Sequence, residues 1–82
     1  MNSELNILNG VRKALENIFV FVEEDEMKSI NLDDYILNSL QFMSFIVELE
    51  NIFSIEFPPE LLLIDNFNNI TNICVIISEL SN

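Results

Sequence analysis

Apolar residues recur every three or four positions in three stretches of this chain, and that spacing is typical of one face of an α-helix. The stretches cover residues 4–21, about 39–53 and about 70–80. A single Gly and two Pro in 82 residues leave few positions suited to tight turns, which disfavours a multi-stranded sheet. The pattern therefore predicts an all-α domain.

The first stretch should form an amphipathic helix that begins near Ser3. Serine is a good N-cap, and Glu4 behind it is favourable near the positive end of the helix dipole. Gly10 lies inside this helix and should weaken it slightly, because glycine has a low helix propensity. The residues that we expect to face the core are Leu5, Leu8, Val11, Leu15, Ile18, Phe19 and Val22.

The middle stretch carries two apolar stripes instead of one. Asn38 is a good N-cap, which places Ser39 at the first helical position with its hydroxyl exposed. The stripe that should face the core consists of Phe42, Phe45, Ile46, Leu49, Ile52 and Phe53. Leu40, Met43 and Val47 fall on the opposite side, where a small bundle can hardly bury them. They are either a partner-binding surface beside Ser39 or single exposed apolar residues of the ordinary kind.

The connections between the helices differ in length. The first is long, and its acidic run at residues 23–26 is most simply a solvated loop. We expect its apolar residues to pin it across the bundle; they are Ile30, Leu32, Tyr35, Ile36 and Leu37. A connection of this length in so small a domain is often functional.

The second connection contains Pro58, which holds Phe57 in extended backbone and ends the middle helix before it. Residues 60–64 could form a short turn of helix, and the ring of Phe67 should be tucked into the core. Asn69 is the expected N-cap of the last helix. The sequence thus predicts a small four-helix bundle, with three main helices, a short third helix and a long first loop.

The charge of the chain excludes some partners and favours others. The formal net charge is −11, and Arg12, Lys13 and Lys28 are the only basic residues. Nucleic acid is a poor candidate because binding it requires Lys and Arg at the phosphates. A basic protein surface is a good candidate, since opposite charge speeds encounter. With no signal segment and no apolar run of membrane-spanning length, we expect a cytoplasmic protein without a membrane span.

The residues needed for catalysis or metal binding are scarce. The chain has no His, and its single Cys, Cys74, falls on or near the inward stripe of the last helix, where an inert thiol is expected. Glu48 and Glu50 lie about 160° apart around a helix, so they cannot converge as a carboxylate pair. No segment has the spaced acids and central Gly of a calcium-binding loop. An enzyme and a metal protein are both disfavoured.

Several motifs follow one another in register along the chain. Asn38-Ser39-Leu40 precedes the middle helix, which ends in Leu49-Glu50-Asn51-Ile52-Phe53. Ser54-Ile55-Glu56-Phe57 and Pro58 come next, and Asp65-Asn66-Phe67 leads towards the last helix. In this combination the chain resembles the acyl and peptidyl carrier proteins, the phosphopantetheine-binding family. The resemblance covers nearly the whole chain and implies a single carrier domain at residues 1–82.

The resemblance implies a function and a site. Ser39 would receive a covalent 4′-phosphopantetheine, derived from coenzyme A, from a phosphopantetheinyl transferase. The thiol of that arm would hold an acyl or aminoacyl group as a thioester for a loading enzyme and for downstream synthase or transferase enzymes. The protein itself would be a monomer that catalyses nothing. The partner-binding residues implied are Asn38, Leu40, Met43, Ser44, Val47 and Glu48.

Departures of three kinds from the family pattern affect this interpretation: before the serine, at two glycine positions, and at two acidic positions of the helix. Asn38 replaces the usual Asp before the serine, Ile36 stands where a Gly is frequent, and Ser54 replaces the Gly after the helix. Both turns could therefore be shifted. Gln41 and Ser44 also stand where acids are common in fatty-acid carriers. This favours a discrete carrier of a specialised pathway, of the nonribosomal peptide or polyketide kind, over service in fatty-acid synthesis.

The main alternative is a carrier-like helical module that is never modified and acts as a scaffold or regulatory subunit. Such a protein would share the acidity and the exposed stripe, and it would differ only at the serine. Replacing Ser39 by Ala would leave a scaffold active and would inactivate a carrier.

Overall fold

The computed structural model describes residues 4–81, apart from the side chains of Glu4, Leu5 and Ile64. This part of the chain contains no β-strand, which confirms the all-α prediction. Its helices are α1 (Glu4–Asn17), α2 (Ser39–Phe53) and α3 (Ile70–Leu80). The expected helix start at Ser3 and the expected inward position of the Leu5 side chain lie outside the described residues.

The first helix ends at Asn17, four residues earlier than the periodicity predicts. The N–H of Phe19 donates to the carbonyl of Glu16 (2.9 Å), and the N–H of Val20 donates to that of Leu15 (2.8 Å). This is the Schellman arrangement, which requires left-handed backbone at the residue after the helix. Phe19 supplies it with φ 66°. A residue with a side chain destabilises that conformation by about 1–2 kcal/mol relative to glycine.

The predicted inward position of Phe19 is therefore wrong. Its side chain is 84% exposed, because the left-handed backbone at this residue ends the helical repeat that would have directed it towards the core. Val20 and Val22 are buried in its place. The Nε of Arg12 donates to the carbonyl of Val22 (2.8 Å) and holds this start of the first loop against α1.

The core lies where α1 packs against α2 and α3. The predicted inward stripe of α2 is confirmed, since Phe42, Phe45, Ile46 and Leu49 are buried and Ile52 and Phe53 are partly buried. Cys74 is buried in α3, as predicted. The fully buried residues at the centre of this core are Val11, Ala14, Leu15, Phe45, Leu49, Ile73 and Ile77.

The first loop is long, as predicted, and contains two short 3₁₀ turns, Glu24–Glu26 and Leu32–Asp34. Two backbone contacts hold it against the start of α3. Asn31 and Asn69 form an isolated antiparallel bridge, and the N–H of Leu32 donates to the carbonyl of Asn68 (2.9 Å). Leu32 is buried and most of the other expected anchors are partly buried, but Leu37 is 76% exposed, so that prediction is wrong. Leu37 immediately precedes the N-cap and turns outward with it.

The second connection also follows the prediction in outline. The short helical segment expected at residues 60–64 is present as two 3₁₀ turns, Pro59–Leu61 and Ile64–Phe67, and the two residues between them are not helical. Phe67 is buried and makes edge-to-face contacts with Phe42 and Phe57, at centroid distances of 5.5 and 5.4 Å. These rings join α2 to the chain that leads into α3.

The turn after α2 keeps the left-handed geometry for which a glycine is suited. Ser54 adopts φ 54° and ψ 46°, and its N–H still donates to the carbonyl of Glu50. The Glu50 carboxylate in turn accepts the N–H of Phe57 (2.9 Å). Within residues 4–81, no helix is both long enough and apolar enough to cross a membrane.

Candidate functional site

Ser39 lies at the N-terminus of α2, immediately after a fully formed cap. Asn38 is extended (φ −155°, ψ 169°), and its Oδ1 accepts the N–H of Gln41 at 2.8 Å. Its carbonyl accepts the N–H of Phe42 at 3.0 Å. The predicted N-cap is confirmed, and Ser39 is exposed at the first helical position as expected. The remaining N–H groups of this first turn have no partner inside the helix itself.

Gln41 is a site residue whose structural role the sequence reasoning missed. Its Oε1 accepts the N–H of Leu37 (2.8 Å), and its Nε2 donates to the carbonyl of Tyr35 (3.1 Å). It therefore fixes the segment that leads into Asn38 and Ser39. The available signal was the Gln three residues after an N-cap, which is the spacing of a capping box. Here the side chain reaches one residue further back than the usual box.

The second stripe of α2 is exposed, as the sequence predicts. Leu40 is 80% exposed, Met43 45% and Val47 48%. Ser44 and Glu48 are half-buried beside it. The structure thus brings all the sequence-predicted site residues together on one face of α2 and its N-cap.

Glu48 differs from the other residues of this face because its carboxylate already has a partner. Its Oε1 accepts an N–H from the side-chain amide of Asn17 at 2.8 Å. Asn17 is the last residue of α1, so this hydrogen bond joins the two helices at the edge of the exposed face. Glu48 is consequently less available to a partner than its place in the sequence suggests.

Two depressions flank the N-terminus of α2. The smaller, of about 260 Å³, is lined by Ser39 itself and by residues of the first loop, and the rings of Phe42 and Phe67 also contribute to its walls. The larger, of about 580 Å³, opens on the side of α1 and is lined by Phe19, Leu40 and Ser44, among others. Ser39 therefore lies beside one depression and, through its neighbours Asn38 and Leu40, borders the other.

The charge of the surroundings is one-sided. From Ser29 onward the sequence contains no Lys or Arg, so no cation of α2 or α3 faces Ser39. Among the described residues, no cluster of three or more acidic or Cys side chains is arranged to hold a metal ion. The site offers one exposed hydroxyl at a helix N-terminus, with an apolar surface next to it.

Comparison with known families agrees with this geometry. The sequence model of the family described as the phosphopantetheine attachment site matches residues 11–74, which is well over half of the chain and includes the whole of α2. The chain belongs to this family. Its members are non-catalytic carrier domains with a covalently attached 4′-phosphopantetheine, and they interact with a phosphopantetheinyl transferase and with acyl-handling enzymes. Comparisons with curated proteins and with solved structures gave no match for the carrier domain.

Proposed function

We propose that Ser39 is the residue of this carrier domain that bears 4′-phosphopantetheine. The observation that carries the proposal is an exposed serine at the capped N-terminus of α2, inside the segment that matches the family. In the reaction, the Ser39 oxygen forms a bond to the phosphorus of coenzyme A that bears the pantetheine. The pyrophosphate bond breaks, and adenosine 3′,5′-bisphosphate leaves. The hydroxyl proton passes to a base of the transferase.

The residues present suit a phosphodiester at this position. A helix N-terminus stabilises negative charge through its free N–H groups and its dipole. The Asn38 side chain accepts only the N–H of Gln41, so the N–H groups of Ser39 and Leu40 are left without a partner inside the helix. The terminal thiol of the arm would hold the acyl or aminoacyl cargo as a thioester. The role of the protein is to anchor the arm and to position it, and the chain supplies no catalytic group of its own.

The surface around Ser39 supports a proposal about the partners and the pathway. We propose that the transferase, a loading enzyme and downstream synthase or transferase enzymes bind the face formed by Asn38, Leu40, Met43, Ser44, Val47 and Glu48. Leu40, Met43 and Val47 make this face apolar, and its one acid, Glu48, is hydrogen-bonded to Asn17. Such a surface favours a discrete carrier of a peptide- or polyketide-type pathway over a fatty-acid carrier. We further propose that residues 1–82 act as a single monomeric domain in the cytoplasm.

The decisive experiment is intact-mass measurement after incubation with coenzyme A, Mg²⁺ and a broad-specificity phosphopantetheinyl transferase. The wild type should gain the mass of one phosphopantetheine, and Ser39→Ala should gain none. Ser78→Ala is the control and should still gain one phosphopantetheine, because Ser78 lies on α3, outside the proposed binding face. If several transferases leave the folded wild type unchanged, the unmodified scaffold becomes the better interpretation.

A further inference from the structure

Phe19 has a combination of features that the fold alone does not explain. It occupies the left-handed position of a Schellman motif, where glycine is the usual residue, with φ 66°. Its ring is nonetheless 84% exposed, so the strain is not offset by burial. The apolar pair that normally accompanies the motif is present without it, since Leu15 and Val20 are both buried. Strained residues that stabilise nothing are frequently found at functional sites.

The exposed ring lies next to the proposed attachment site. Phe19 and Leu40, which is 80% exposed, line the same open groove of about 580 Å³ between the end of α1 and the start of α2. Asn38 and Leu40, the two neighbours of Ser39, belong to this groove. An enzyme that approaches the Ser39 hydroxyl from the side of α1 would therefore contact this groove.

The groove is neutral, and its lining combines three apolar side chains, Ile18, Phe19 and Leu40, with three amides and one hydroxyl. No charged side chain lines it. Its three amides already have hydrogen bonds within the protein: Asn17 with Glu48, Asn38 with the N–H of Gln41, and Gln41 with Tyr35 and Leu37. An apolar group can cover such amides at a reduced desolvation cost, because part of their hydrogen-bonding capacity is satisfied internally.

We propose that Phe19 and Leu40 form a cleft that binds an apolar side chain of the phosphopantetheinyl transferase when it acts on Ser39. This rests on the proposed function of Ser39. The transferase is the occupant because it is the enzyme that must reach the serine oxygen itself, next to the groove. The net charge of −11 favours encounter with a basic surface on the transferase, and the cleft would then supply short-range apolar contact.

The test uses glycine at position 19, because it separates docking from folding. Phe19→Gly removes the ring and also relieves the left-handed strain, so its thermal melting temperature should equal or exceed that of the wild type. The kcat/KM for phosphopantetheinylation with coenzyme A should nevertheless fall about tenfold, mainly through KM for the carrier. Phe19→Leu should recover a good part of the loss, because it restores an apolar side chain.

Phe21→Ala is the matched control. Phe21 is also a strongly exposed phenylalanine of the first loop, at 72%, but it does not line the groove. Its kcat/KM should remain that of the wild type. If Phe19→Gly had the same kcat/KM as the wild type, the proposed role of the cleft would be disproved and that of Ser39 would stand. The same conclusion would follow if Phe21→Ala lost as much kcat/KM as Phe19→Gly. A folded wild type that no transferase modifies would overturn both proposals.

Discussion

The ring of Phe53, at the C-terminal end of α2, packs directly against the backbone of Gly10 in the middle of α1. A Cβ atom on Gly10 would lie 2.9 Å from Cε1 and 3.0 Å from Cε2 of that ring, and closer still to Cζ. Contacts of this length do not occur between ordinary side chains. The only glycine of the sequence is therefore used for the close approach of two helices, and the two left-handed positions within residues 4–81 are occupied by Phe19 and Ser54.

Gly10→Ala should consequently destabilise the wild type. Helix propensity alone would predict a gain of about 1 kcal/mol. We expect instead a loss of about 1–3 kcal/mol, the usual effect of overpacking, because the new methyl group displaces the Phe53 ring. In a Phe53→Ala background the same change should stabilise by about 1 kcal/mol, since the clash is gone. Urea unfolding of the four proteins measures this; equal effects in the two backgrounds would disprove the contact.

Phe53→Ala alone should lower the free energy of unfolding by about 3 kcal/mol, the low end of the range for large-to-small aromatic changes. The low end applies because Phe53 is only partly buried against the core. Chemical denaturation followed by circular dichroism gives the value. A loss well below 1 kcal/mol would contradict the packing of α2 against α1.

Removing either of two equivalent helix caps should separate stability from recognition. Asn38 and Asn69 each accept a backbone N–H at 2.8 Å at the start of α2 and α3. Asn38→Ala and Asn69→Ala should each destabilise by about 1 kcal/mol. Only Asn38→Ala should also slow phosphopantetheinylation, because Asn38 adjoins Ser39. If both variants were slowed equally, the effect would come from stability.

Val47→Asp should leave the fold intact and impair turnover by partner enzymes, because it places a charge in the exposed apolar stripe of α2. Val75→Asp is a closely matched control, since Val47 is 48% exposed on α2 and Val75 is 49% exposed on α3. Both variants should melt within a few degrees of the wild type, as surface changes usually do. Impaired modification kinetics in Val75→Asp alone would place the docking face on α3.

Glu50→Ala should destabilise the domain by about 1.5–3 kcal/mol, the usual contribution of a hydrogen bond to a charged group. The reason is that its carboxylate holds the N–H of Phe57 at 2.9 Å and so fixes the chain after α2. Glu50→Gln should lose less, because the amide retains an acceptor oxygen. Thermal denaturation distinguishes them; equal losses would mean that the carboxylate charge matters and the hydrogen bond does not.

Local periodicity and capping explain what could be predicted from the sequence. The two stripes of α2, the caps at Asn38 and Asn69 and the buried positions of Phe67 and Cys74 each depend on residues within one or two helical turns. Ser54 is a related case, since a serine keeps the turn geometry expected of glycine. The turn was therefore not shifted.

The errors arise where the local sequence does not signal a change of geometry, or where residues distant in sequence come into contact. Phe19 fits the inward spacing of α1, but the helix has already ended two residues earlier, at a motif that normally contains glycine. Nothing in the local sequence marks that end. The sequence predicts only that Gly10 weakens α1 slightly, whereas in the structure Gly10 leaves room for the ring of Phe53, 43 residues further along the chain.

The bridge between Asn31 and Asn69 provides a way to measure opening of the domain by hydrogen exchange. The amide proton of Leu32 is held by the carbonyl of Asn68, so it exchanges with solvent only when the first loop separates from the start of α3. That separation would also widen the depression beside Ser39, which Leu32 and Phe67 help to line. The exchange rate of this one amide proton therefore measures how often the domain opens beside Ser39, the proposed attachment site.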